Sequence, residues 1–126
     1  MKKGIILSTM LLCFGISNAQ NNVDLTGKTF QQVNKIPDNK TELVFTSKTQ
    51  VSYVITNIIS GKTYIDKCNG TATLNGNKIA INCFCEDKEI YPDPIKDSFV
   101  YDPNGKKLTS TSFRSLDGVY HIWNQK

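Results

Sequence analysis

Apolar and polar residues alternate with a period of two from about residue 28 to the C terminus, and this feature constrains the fold most. Side chains of a strand point alternately to the two faces of a sheet, so the period is typical of half-buried strands. No window of a dozen residues shows an apolar stripe at helical spacing. Gly, Asn, Asp and Pro interrupt the alternation at short intervals, as turns do. The sequence therefore predicts an all-β domain.

The interruptions delimit nine predicted strands. They cover residues 28–33, 42–47, 50–58, 62–67, 70–74, 78–85, 97–102, 107–112 and 118–124. Short connections place sequence neighbours side by side, so we expect an antiparallel up-and-down meander of eight or nine short strands, a small lipocalin-like barrel or half-barrel. Each strand with its turn has only about a dozen residues, and we expect side chains to fill such a narrow interior.

Asn75-Gly76 is the strongest hairpin signal, because a type I′ turn needs positive φ at both central residues. This turn places Cys68 opposite Cys83 on the core face. A bulge at Gly70 would shift the partner to Cys85 instead. We therefore predict one disulfide from Cys68 to Cys83 or Cys85, with Cys83 slightly favoured, and one remaining thiol.

Residues 1–19 have the form of a signal peptide. Lys2 and Lys3 precede an apolar run over 4–16, and Ser17-Asn18-Ala19 offers small residues for cleavage. Cys13 lies within the apolar run, which disfavours a lipoprotein anchor. We expect a single β-barrel-like domain over 20–126, without a membrane span, that is exported and is periplasmic or secreted.

Charge argues against one class of partner. Without Lys2 and Lys3, 13 basic residues face 11 acidic ones, so the net charge falls from +4 to about +2. No stripe of basic and aromatic residues appears. We therefore expect no nucleic-acid partner, and we expect a monomer.

Two constellations are candidates for chemistry. Cys68, Cys83 and Cys85 are a possible thiolate set for a soft metal or a redox reaction, although no histidine lies near them in sequence. His121, the single histidine, would need an activated nucleophile beside it to serve a hydrolase. No catalytic signature surrounds these residues, so we expect no enzyme activity, no metal and no cofactor.

Aromatic residues occur once or twice in most predicted strands, and most of them suit a core. Four combine apolar area with a polar group and form a possible binding face at a barrel mouth. These are Tyr53, Tyr64, Tyr101 and Trp123.

Two families resemble this chain. The opening Leu25-Thr26-Gly27-Lys28-Thr29-Phe30 and the closing Gly-Val-Tyr-His-Ile-Trp strand resemble small exported lipocalin-like proteins of bacterial envelopes. A partial likeness to META domains rests on Leu25, Gly27, Phe30, Cys68 and Asn69. Both resemblances imply a role outside catalysis.

These observations favour an exported, non-catalytic binding module. Its ligand would be a small apolar molecule at a barrel mouth, or an envelope or secreted protein bound through loops and a sheet face. The alternative is a thiol-based metal or redox protein using Cys68, Cys83 and Cys85. The shape of the interior separates the two binding hypotheses, because only a small ligand needs a cavity.

Overall fold

The computed structural model describes residues 22–111 and 121–126. The predicted export signal, the predicted cleavage after Ala19 and residues 118–120 of the predicted strand 118–124 lie outside these ranges. Eight strands are present in the described residues. They are β1 (Thr29–Gln32), β2 (Asn39–Phe45), β3 (Gln50–Ile59), β4 (Lys62–Asn75), β5 (Lys78–Cys85), β6 (Ile95–Asp102), β7 (Lys107–Ser110) and β8 (Ile122–Gln125).

The strands form a closed antiparallel barrel in sequence order. Each strand pairs with the next, and β1 pairs with β8 through residues such as Gln31 and Asn124, which closes the sheet. The predicted all-β meander is confirmed, and closure removes most of the unpaired edges that an open sheet would expose. The described residues contain no helix long and apolar enough to cross a membrane.

One long strand, β4, replaces the two strands predicted over 62–67 and 70–74. Gly70 does not interrupt it, because Gly70 pairs with Cys83 inside a continuous ladder. A Cβ at Gly70 would clash with the carbonyl oxygen of Asn82 and lie 2.6 Å from the Cα of Cys83. The glycine thus allows two backbones to approach closely and causes no bulge.

The predicted register of the β4–β5 hairpin is wrong by two residues, because each β4 residue faces a β5 residue two positions later than predicted. The two-residue connection is Gly76-Asn77, and only Gly76 has a positive φ, as the first position of a type II′ turn requires. Asn77 accepts a hydrogen bond from the amide of Tyr101 at 2.8 Å, which holds this turn against β6. Cys68 therefore faces Cys85, and Cys83 faces Gly70.

The barrel has two unlike ends. At one end, which we call the plugged end, the segment before β1 crosses the opening and buries Leu25 in the core. The amide of Val23 donates to the carbonyl of Gly76 at 2.9 Å and fixes that crossing. The opposite end, which we call the arm end, carries the β1–β2, β3–β4 and β5–β6 connections.

Candidate functional site

Aromatic side chains from opposite walls meet inside the barrel. The ring of Trp123 on β8 contacts Tyr53 on β3 and Phe99 on β6 edge to face, at centroid distances of 5.7 and 5.8 Å. Phe30 on β1 similarly contacts Tyr101 on β6 at 5.9 Å. Strands three places apart are nearly opposite in an eight-stranded barrel, so the Tyr53–Trp123 and Phe30–Tyr101 contacts cross the lumen. The rings occupy the space that a small ligand would need.

The four residues of the predicted binding face do not share a surface. Tyr101 and Trp123 are buried in the core, and Tyr53 is half-buried against it. Tyr64 instead lies on β4 beyond the barrel wall, where 49% of its surface is exposed. Within this set, only Tyr64 is available to a partner.

A disulfide joins two of the three thiols that sequence reasoning singled out. It links Cys68 to Cys85, with Cα atoms 3.8 Å apart, and leaves Cys83 free and buried. Burial raises the pKa of the Cys83 thiol to about 11, so it stays protonated at neutral pH. The described residues hold no group of three His, Cys, Asp or Glu side chains placed for a metal ion. A single protonated thiol offers little reactivity.

His121 lies at the start of the described C-terminal segment. Its backbone carbonyl accepts the amide of Ser110 at 2.7 Å, which is a ladder contact. Its ring Nδ1 is buried without a hydrogen-bond partner among the described residues. No carboxylate therefore orients the ring through that atom, as a hydrolytic triad requires.

A polar group lies inside the barrel toward the arm end. Ser110 donates its hydroxyl hydrogen to Asp97 Oδ1 at 2.7 Å, and Asp97 also accepts the amide of Ser98. Burial, and next the charge of Asp97, raises the pKa of the Tyr53 hydroxyl above its usual range. Sequence reasoning missed Asp97 and Ser110, because a lone Asp and a lone Ser on separate strands carry no local signal.

Open grooves lie between described residues at the rim and on the outer wall of the barrel. A groove of about 610 Å³ lies between the segment at Val23 and the β3–β4 sheet near Thr49 and Leu74. A second, of about 460 Å³, lies on the outer face of β5 and β6 around Ala80 and Val100. Tyr53 and Trp123, whose rings meet inside the barrel, line neither groove.

Exposed large apolar side chains gather at the arm end. Seven described residues of this kind have 45–64% of their surface exposed. All seven lie in or beside the three connections of that end, and none lies at the plugged end. They are Ile36, Ile58, Ile59, Tyr64, Ile65, Phe84 and Ile90.

Four of these seven residues lie on a hairpin that extends beyond the barrel wall. We call residues 54–67, the part of β3 and β4 beyond the Tyr53–Cys68 pair, the arm. Ser60 and Gly61 both have positive φ, which closes the hairpin as a two-residue type I′ turn. The strand β5 ends at Cys85, opposite Cys68, so it does not pair with the arm part of β4. No described strand other than β3 therefore pairs with this part of β4.

The edge of the arm away from β3 carries backbone groups that no described strand pairs with. The amide of Ala72 donates to Thr49 on the β3 side, so even-numbered residues of β4 hydrogen-bond to β3. The carbonyl of Lys67 instead accepts the amide of Glu86, so odd-numbered residues point to the other side. The N–H and C=O groups of Thr63 and Ile65 therefore face outward, and no described strand pairs with them there.

No protein-family model, no curated protein and no solved structure matches this chain. The lipocalin-like and META resemblances stay predictions. The barrel geometry and its surface are therefore the basis for assigning a function.

Proposed function

We propose that this chain is an exported, non-catalytic binding module that recognises a protein through its arm end. The single observation that carries the proposal is the concentration of exposed apolar residues at that end, beside a lumen filled by aromatic rings. Soluble domains rarely keep such a patch on one side unless something binds it.

A small apolar ligand is less well supported than a protein. The Tyr53–Trp123 and Phe30–Tyr101 contacts cross the lumen, and a typical ligand cavity of about 300–1,000 Å³ would require those rings to separate. The apolar residues point outward from the arm and loops, where a flat or extended protein surface reaches them more readily.

A membrane surface is also less well supported than a protein. The edge N–H and C=O groups of Thr63 and Ile65 lack partners among the described strands. Each such group costs several kcal/mol in hydrocarbon, where no water satisfies it. A protein strand can satisfy these groups, whereas lipid tails cannot.

Site-specific photo-crosslinking tests the proposal. A photoreactive amino acid replaces Ile58 on the arm, and a matched variant carries it at Thr73, which is exposed on β4 near the plugged end. In cells that produce the protein, we expect a discrete protein adduct from position 58 and none from position 73. Equal labelling at both positions, or adducts with lipid only, would overturn the proposal.

A matched competition identifies which residues of the arm bind. Ile65→Ser on the arm should remove the adduct formed from position 58, because Ile65 is on the same outer face of the sheet as Ile58. Ala80→Ser, at an exposed position of β5 away from the arm end, serves as the control and should keep the adduct. An adduct that survives Ile65→Ser would place the contact elsewhere at the arm end.

A further inference from the structure

The free edge of the arm has a sequence that complements itself. The five residues Lys62-Thr63-Tyr64-Ile65-Asp66 are charged at both ends with opposite signs and are centred on an exposed aromatic ring. When two copies of this segment run antiparallel about Tyr64, Lys62 of each faces Asp66 of the other. Opposite charges directly across a strand pair stabilise it.

The backbone supports the same register. Thr63 faces Ile65 of the second copy in this arrangement, and these are the two residues whose N–H and C=O groups point outward. Each Thr63–Ile65 pair would exchange two hydrogen bonds, as directly opposed residues of an antiparallel ladder do. Every outward-pointing backbone group between Lys62 and Asp66 would then have a partner.

The neighbouring register fits less well. A pairing centred on Ile65 would place Thr63 opposite Lys67, whose carbonyl already accepts the amide of Glu86 at 3.3 Å. It would also place Lys62 opposite Cys68, which β5 covers through Cys85. Only the register centred on Tyr64 uses uncovered backbone and pairs both charges.

We infer that a second copy of this chain is the occupant of the arm edge, bound by antiparallel pairing of Lys62–Asp66 across a two-fold axis. This inference rests on the proposed function and names its partner. It replaces the monomer expected from the sequence with a weak, concentration-dependent dimer, because one short strand pair buries less area than a standard interface. Two-fold pairing closes the edge, so no further copies add to it.

Charge exchange at the two ends of the segment tests the register. Sedimentation velocity should show a monomer–dimer equilibrium for the purified protein. Lys62→Asp and Asp66→Lys should each weaken dimerisation about tenfold or more, because each creates two like-charge pairs. An equimolar mixture of the two variants should dimerise, since the heterodimer pairs Asp with Lys at both ends.

Lys67→Asp provides the control, because the same charge change one residue outside the segment should leave dimerisation unchanged. A wild-type protein that stays monomeric at about 1 mM, where even a weak association of −4 kcal/mol would be half-formed, would overturn the inference. So would a mixture that fails to restore the dimer.

The crosslink from position 58 distinguishes this inference from the proposed function. An adduct of twice the chain mass supports both. An adduct with a different protein, together with a monomeric wild type, leaves the proposed function standing and overturns the inference. The absence of any protein adduct together with a monomeric wild type overturns both.

Discussion

Cys68 and Cys85 face each other as a non-hydrogen-bonded pair of the β4–β5 ladder, and a disulfide joins them. Counting outward from the Asn75–Lys78 pair that closes the turn gives this assignment, and such pairs bring Cα atoms closer than their hydrogen-bonded neighbours do. The bridge lies at the base of the arm, where β5 ends. The disulfide thus links Cys68, the last β4 residue that pairs with β5, to the barrel wall.

Removing this disulfide should weaken the fold measurably. A bridge between residues 17 apart restricts the unfolded chain, and the loop-entropy relation gives about 3 kcal/mol for a loop of that size. The free energy of unfolding of Cys68→Ala/Cys85→Ala should therefore be lower than that of the wild type by about 3 kcal/mol. Urea titrations followed by the fluorescence of the single tryptophan measure the difference. Cys83→Ala is the control, because it keeps the bridge. A peptide map that links Cys68 to Cys83 would contradict the assignment.

The buried thiol of Cys83 should make stability depend on alkaline pH. Its pKa is raised to about 11 in the folded protein from 9.0, so the folded state keeps a proton that the unfolded chain releases. The contribution to stability is complete below pH 9 and is lost as pH rises toward 11. Wild type should therefore lose more unfolding free energy between pH 8 and 11 than Cys83→Ala. Equal losses in rapid-mixing urea titrations would contradict this.

Gly70→Ala should destabilise the barrel by about 1–3 kcal/mol, the usual cost of forcing an extra methyl group into a close-packed site. The new Cβ would collide with backbone atoms of Asn82 and Cys83, which cannot move without disturbing the ladder. Gly105→Ala is the matched control, since its Cβ would meet only side-chain atoms, those of Asp102 and Lys107, and no backbone. Similar unfolding midpoints for the two variants would show that β4 and β5 tolerate separation at this point.

Leu25→Ala should cost about 2–5 kcal/mol, as truncations of buried leucines do. Leu25 is fully buried at the plugged end, and its loss would leave a cavity under the segment before β1. Ile90→Ala removes apolar atoms from an exposed side chain and should change stability by less than about 0.5 kcal/mol. Thermal unfolding of the two variants provides the comparison. If Leu25→Ala left the thermal unfolding temperature unchanged, the segment before β1 would not fill the plugged end of the barrel.

Sequence alternation was sufficient to predict most of this fold. The strand β5 was predicted with its observed bounds, 78–85, and the core-facing residues Ala72, Ile79 and Ile81 are buried as expected. These predictions succeed because burial on one face requires the period of two whatever the exact register. The error at Asn75-Gly76 preserved that parity, since the register moved by two residues and every side chain stayed on its predicted face.

The candidate site was harder to predict. Alternation shows which residues share a face, but exposure of that face depends on how far the neighbouring strands extend. Tyr53 and Tyr64 lie on the same face of the β3–β4 hairpin, yet only Tyr64 passes the end of β5 at Cys85. One local signal was available, because the adjacent Ile58 and Ile59 break the alternation just before the Ser60-Gly61 turn. Two consecutive apolar residues cannot both face a core on one side of a strand.

Residue-resolved amide hydrogen exchange of the dilute protein tests the central claim most directly, which is that the arm presents an uncovered edge. The amides of Tyr64 and Asp66 bond to β3 and should be protected, whereas those of Thr63 and Ile65 point outward and should exchange rapidly. Raising the protein concentration should slow exchange at Thr63 and Ile65 selectively. Equal protection of all four amides at high dilution would contradict the account, because the edge would then already be covered.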